Sequence, residues 1–447
     1  MLNGPIVSGL VMFALPLLAT NLLQLLFNTA DIVVIGRFGS SNSLAAVGVA
    51  SMVAGTFTSI ITHFCIGGTV ASGIALGEKD SVKLRKTVHG TMGFAFAGGM
   101  TLMLLMAFTM KPLLTLLNTP QEIYRDAFNY LCCFLPSIPA CTIYNFGAAL
   151  LRAKGDTQRP FFILTFSGIV NVLLNLIFVL VFKMGVVGVA IATTIAFYIS
   201  MTMILRLLCH ERDDFKLNLR KMTLHSPMQW LVIKVGFTNA FQGMMFHAAN
   251  LVVQGAVNSF GAYAIAGNAA SQTIGSYLWM SMNGFAQAGM SFTAQNTGAK
   301  NYRRIIDIFW RAIMLAGGIG LVEGIFCQIF GTSLLGIFTK DQNAIQAGLY
   351  RLHLICGFYF ICGIMDTTSF IIRGMGCSVL PAAICLAGAL GVRLLWIFTL
   401  FQIPRFHTLF WLYMTYPVSW TATLVALAVA LYFLLRQKLE KNNTKTV

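Results

Sequence analysis

Gly77-Glu78-Lys79-Asp80 recurs as Gly298-Ala299-Lys300-Asn301, a shift of 221 residues (298 − 77). Arg152-Ala153-Lys154-Gly155, closed by Pro160, recurs at the same shift as Arg373-Gly374-Met375-Gly376, closed by Pro381. Long apolar stretches separate these polar loops in both copies. Internal duplication in so hydrophobic a chain marks membrane transporters built as two lobes.

Composition carries the same message. The chain has 447 residues, 10 % of them charged, and a mean hydropathy of +0.77. A soluble domain carries roughly a quarter charged residues. The apolar runs are continuous rather than alternating, so they read as helices and not as barrel strands. Twelve such runs lie between residues 10 and 435. The expected fold is an all-α integral membrane protein of twelve transmembrane helices in two pseudo-symmetric six-helix lobes. A polar connector at 209–228 divides an N-terminal lobe, 1–208, from a C-terminal lobe, 229–435. Residues 436–447 form a tail, and Lys441 to Val447 read as disordered. Six spans per half is an even number, so the two halves run the same way through the bilayer.

The formal net charge is +16, which raises nucleic acid as a partner. The placement of the charge argues for topology instead. With the N-terminus inside, 21 of the 30 Lys and Arg fall in even-numbered loops and the tail, against six on the other side. That bias places both termini in the cytoplasm of a multi-pass protein of the cytoplasmic membrane. The expected partners are the lipid bilayer and small organic substrates, with no nucleic acid, and a monomer is expected. The ten Cys show no metal-ligand spacing, and no cluster of nucleophile and base points to an enzyme.

Three acids fall well within apolar runs: Asp31, Glu323 and Asp366. An ionisable group at that depth is a functional candidate by default. Asn21, Gln24, Asn28 and Asp31 share one helical face, and this stripe is expected to face the interior of the lobe or the cleft, as part of a polar cavity. The alternative places Asp31 at the outer membrane surface, paired with Arg37. Pro16 removes a backbone hydrogen bond and offers a bending point. On the fifth run Ser167, Asn171 and Asn175 recur at intervals of four, and the sixth offers Thr193 and Thr194. These oxygens with one carboxylate suit a small hard cation or a proton held on Asp31; interhelical hydrogen bonding is the other use of such residues. Asp366 reads either as a functional acid or as a helix-end partner of Arg373, and Glu323 has no sequence-near partner. On the seventh run Gln242, His247 and Asn250 share a broad polar face with Asn239 and Gln254.

The segment Asn28-Thr29-Ala30-Asp31-Ile32-Val33-Val34-Ile35-Gly36-Arg37-Phe38-Gly39, with Pro16, resembles the first helix of the multidrug and toxic compound extrusion (MATE) family. Leu151-Arg152-Ala153-Lys154-Gly155-Asp156-Thr157 with Pro160, and Gln295-Asn296-Thr297-Gly298-Ala299-Lys300, resemble further motifs of that family. The resemblance covers nearly the whole chain. It implies secondary active efflux of organic, often cationic, compounds in exchange for protons or sodium, with no cofactor. It implies coupling at Asp31, Asn171, Asn175 and Thr193, which would also hold a sodium ion. Asn175 stands where the family often has Asp. The resemblance also implies a candidate second site at Asp366, with His247 near the place of a seventh-helix Glu, and Glu323 ranks below both. The rival reading is a flippase for a lipid-linked precursor, for which the spans offer few cations, chiefly Arg351 and Arg393.

Overall fold

The duplication is built into the backbone. In the computed structural model, which describes residues 1–38 and 40–443, Lys79 has φ 59° and Lys300 has φ 56°. Both are non-glycine residues in the left-handed region, at equivalent repeat positions. Each is followed by a helix cap. Asp80 accepts from the Lys83 amide at 2.9 Å to start the helix Ser81–Leu116, and Asn301 accepts from the Arg304 amide at 3.3 Å to start the helix Tyr302–Gly336. The second motif is equally faithful. Gly155 (φ 108°) and Gly376 (φ 81°) follow the ends of the helices Ser137–Lys154 and Tyr359–Gly374. The Asp156 amide reaches back to the Leu151 carbonyl at 2.9 Å, and the equivalent Cys377 amide to Ile372 at 3.3 Å. That is one helix-stop geometry used twice, and it needs glycine because only glycine enters the left-handed region without cost.

In chain order the helices are α1 (Ile6–Phe38), α2 (Ser41–Phe64), α3 (Ile66–Gly77), α4 (Ser81–Leu116), α5 (Gln121–Phe134), α6 (Ser137–Lys154), α7 (Gln158–Leu176) and α8 (Gly185–Cys209). After the connector come α9 (Gln229–Asn258), α10 (Ala262–Gly298), α11 (Tyr302–Gly336), α12 (Gln342–Gly357), α13 (Tyr359–Gly374), α14 (Val379–Cys385), α15 (Val392–Phe398) and α16 (Leu409–Asn443). Eight described segments are long and apolar enough to cross a membrane unaided. Two bent pairs, α5 with α6 and α12 with α13, each turn by 48° and bring the number to ten. The remaining two spans of the twelve, α9 and α10, have the length but carry many Asn, Gln and Ser side chains. Large apolar side chains face outward, such as Phe108 at 80 % exposure and Leu251 at 72 %, which only lipid would cover stably.

Two compact units result: residues 19–240, and residues 1–18 together with 241–447. These limits fall inside α1 and α9, whereas the sequence division fell in the connector 209–228. The first turns of α1 join the second unit because Phe13 packs edge-on against Phe292 at 6.2 Å and Arg304 holds the Gly4 carbonyl at 2.8 Å. The start of α9 joins the first unit because Gly236 admits the backbone of Phe64 and Asn239 donates to the His63 carbonyl at 3.0 Å. Helix α16 continues to Asn443, so Lys441, Asn442 and Asn443 are helical where a disordered tail was expected; 444–447 and Gly39 lie outside the described residues.

The connector is tied down by charge. Glu211, buried, receives Lys154 at 2.7 Å and also Arg159; Asp213 takes Lys154 as well, and Asp214 pairs with Arg85 at 2.9 Å. A hydrogen bond from Ser81, with Arg85 beside it, holds the Asp214 carboxyl below its ordinary value of 3.8. That contribution is therefore present above the unfolded value and is lost as pH falls through the folded one. Glu211→Gln leaves two cations short of a partner. Both are partly solvated, so the expected loss is about 1–2 kcal/mol, read as a lowered melting temperature in detergent.

Candidate functional site

Asp31 lies on α1, buried at 9 % exposure, within the first compact unit. Its depth follows from the apolar residues around it: Val34 and Ile35, one turn on, are core. Opposite stand Asn171 and Asn175 on α7, one turn apart, and Thr193 on α8. Asn175 Nδ2 donates to Asp31 Oδ1 at 2.5 Å. Turned to satisfy both of its faces, the Asn171 amide also donates to Oδ1, at 3.1 Å, and accepts from the Thr193 backbone amide at 3.2 Å. Thr193 Oγ1 stands 3.4 Å from Asp31 Oδ2 and 3.0 Å from the carbonyl of Val189 on its own helix. Asn175 Oδ1 is buried without a hydrogen-bond partner among the described residues.

The four residues Asp31, Asn171, Asn175 and Thr193 therefore form one cluster. Among the described residues Asp31 makes no ion pair, so the pairing with Arg37 is not formed. A buried carboxylate served only by neutral donors is one positive charge short of balance. Other members of the expected set sit elsewhere. Ser167 bonds to Ser200 at 2.8 Å, and Thr194 to the Cys133 carbonyl at 2.9 Å. Along the α1 stripe only Asp31 is buried: Asn21 and Gln24 are half-exposed and Asn28 is exposed. Pro16 lies inside α1, which continues through it, two residues before the chain passes from one unit to the other.

The second unit does not join its candidates. Asp366 accepts from Trp279 Nε1 at 2.8 Å, Glu323 accepts from Ser281 at 2.6 Å, and His247 is exposed. Gln242 receives Arg373, and Asn250 receives Arg393 at 3.2 Å and the Tyr416 hydroxyl at 3.3 Å. The residues of α9 expected to line a cavity thus serve buried arginines.

Sequence reasoning missed Tyr130 on α5. It is 4 % exposed, lies within electrostatic range of Asp31, and hydrogen-bonds to Ser51. Beside Arg125, Asp126 and Asn129 on the same helix its hydroxyl gave little signal. It also missed the glycine seats of the repeat. A Cβ on Gly99 would meet Pro139 Cα at 2.9 Å, and on Gly320 would meet Phe360 Cα at 3.0 Å, and both pairs are related by the same 221-residue shift.

The sequence profile of the MatE family matches residues 16–177 and 235–399. The chain is 24 % identical to the probable multidrug resistance protein YoeA of Bacillus subtilis over 96 % of this chain and 94 % of that one. It is 25 % identical to the probable multidrug resistance protein NorM of Thermotoga maritima over 84 % and 81 %. A crystal structure of a MATE protein in complex with MaD3S superposes with a TM-score of 0.90 at 19 % identity, covering 98 % of each chain. The twelve-helix frame is that of those structures, and with the profile matching across both halves, this chain is a multi-pass membrane transporter, not an enzyme, that belongs to the MatE family.

Proposed function

We propose that this protein is a multidrug efflux transporter that exports organic compounds in exchange for protons, with Asp31 as the group that carries the proton. The multidrug reading rests on the relatives named as multidrug resistance proteins. The coupling ion is argued from one observation: two amide Nδ2 groups face Asp31 Oδ1. N–H groups suit an ionised carboxylate and repel sodium, whose site needs oxygens on every side. The cluster carries a single negative charge, which one proton balances.

The donors and acceptors fit a defined protonated state. With a proton on Oδ2, Asp31 donates to Thr193 Oγ1, whose own hydrogen goes to the Val189 carbonyl. When the proton leaves, the bonds from Asn171 and Asn175 become charge-assisted and about twice as strong. Ionisation therefore tightens α1 against α7 and α8, and protonation loosens it. Pro16, where α1 lacks one backbone hydrogen bond, is the place for α1 to bend in response. A compound bound more tightly by the ionised state is released on protonation, which is the differential affinity that exchange requires. The chain is placed in the cytoplasmic membrane with both termini inside, as the loop charges favour.

Counter-transport in proteoliposomes, with a proton gradient and a sodium gradient imposed separately, tests the reading. Uptake of a cationic dye driven by the proton gradient alone is the expected result. Dye movement that follows only the sodium gradient overturns proton coupling.

A further inference from the structure

The second compact unit contains two buried arginines with no carboxylate partner among the described residues. Arg351 on α12 is 7 % exposed and Arg393 on α15 is 3 % exposed. Both guanidinium groups face the same ring: their central carbons lie 6.0 Å and 4.2 Å from the Tyr416 centroid. Their polar partners are neutral. Arg351 donates to Ser271 at 3.3 Å; Arg393 donates to Ser419 at 3.3 Å and to Asn250 at 3.2 Å. Arg351 Nε is buried with no hydrogen-bond partner among the described residues.

A cation–π contact and a few neutral hydrogen bonds recover only part of what it costs to strip a guanidinium of water. Here two like charges share one ring, which adds repulsion. The arrangement is also rigidly seated. Gly267 and Gly348 let α10 and α12 approach until a Cβ on Gly348 would stand 2.9 Å from the Gly267 carbonyl oxygen. That crossing lies one turn from Ser271 and Arg351 and fixes them against each other.

We infer that Arg351 and Arg393, with Tyr416 and Asn250 behind them, form a binding site for one singly charged anion, a carboxylate or a halide. The free Nε of Arg351 points to a missing acceptor, and a planar guanidinium matches a carboxylate in particular. A pyrophosphate, as a lipid-linked precursor would present, needs more positive charge than this pair supplies. The site is independent of Asp31 and of the proposed proton coupling, so its test does not involve transport.

The purified full-length protein, in a HEPES buffer free of carboxylates and halides, is titrated with sodium chloride and with sodium acetate. Trp420 stacks on Tyr359 at 5.6 Å and lies edge-on to Tyr416 at 5.7 Å, which makes its fluorescence a local reporter. The expected result is a saturable change with a matching rise in melting temperature. Competition between the two salts would show one site, and the stronger binder identifies its class. Arg393→Gln weakens both responses at least about tenfold, the worth of one hydrogen bond to a charged group. Arg351→Lys keeps the charge and loses the fork, so acetate binding falls more than chloride binding. The wild-type titration stands even where a variant fails to fold. No saturable response to either salt overturns the proposal, as does a response equal in wild type and both variants.

Discussion

Asp31→Asn abolishes gradient-driven efflux while leaving the protein folded. Asparagine fills the same volume and still accepts from Asn175, so the cluster of α1, α7 and α8 persists; what it lacks is a removable proton. The coupling free energy of such a site is about 1–3 kcal/mol, so accumulation of substrate should fall roughly 5–150-fold towards the passive level. Substrate binding should also lose its pH dependence, because the ionised and protonated states merge into one. Asn175→Ala serves as the contrast. It removes the 2.5 Å donor and keeps the acid, so transport weakens but still responds to pH. Full efflux by Asp31→Asn across all pH values, measured in cells lacking their own pumps, would remove Asp31 from the mechanism.

A large stability effect is expected at Gly267. A Cβ there would lie 3.0 Å from Gly348 Cα and closer still to the Ala344 carbonyl and the Gly348 amide. These are backbone atoms of α12, and no rotamer change can move them. Small residues at such crossings are what lets membrane helices touch, since lipid offers no hydrophobic drive to bring them together. Gly267→Ala should cost about 1–3 kcal/mol, and Gly267→Leu should yield no folded protein. Gly318 on α11 has open space around its Cα, and there alanine should be neutral or stabilise by up to about 1 kcal/mol. Opposite signs for the same chemical change, read by thermal unfolding in detergent, isolate the crossing as the cause. Equal effects at 267 and 318 would mean that the two helices are not in backbone contact.

Features that depend on neighbours along the chain were legible from the amino acids alone. The recurring loops at 77–80 and 298–301 and at 152–155 and 373–376, and the one-turn spacing of Asn171 and Asn175, are all local. Asp31 stood out because a carboxylate in an apolar run is rare whatever surrounds it. Features that depend on which helices meet were not legible. Nothing in the spacing of Arg351, Arg393 and Tyr416 announces that the two arginines share a ring, nor that Tyr130 approaches Asp31. Along α1, Asn28 lies on the helix face of Asp31 and is exposed where Asp31 is buried. A helical stripe gives direction, and burial depends on what packs against each turn.

The strained lysines at 79 and 300 allow one more conclusion. Glycine at either position would relieve a left-handed backbone at little local cost, yet both copies hold lysine. The chain carries two copies of one half-sequence in a single gene product. The place of Asp31 is held in the second half by a valine, Val252 or Val253, while a left-handed lysine and the cap after it stand in both halves. The copies differ in the polar interior and agree at the turn. Exchanging the two turns between halves should leave a working protein; exchanging the segments that carry Asp31 and Val252 should not.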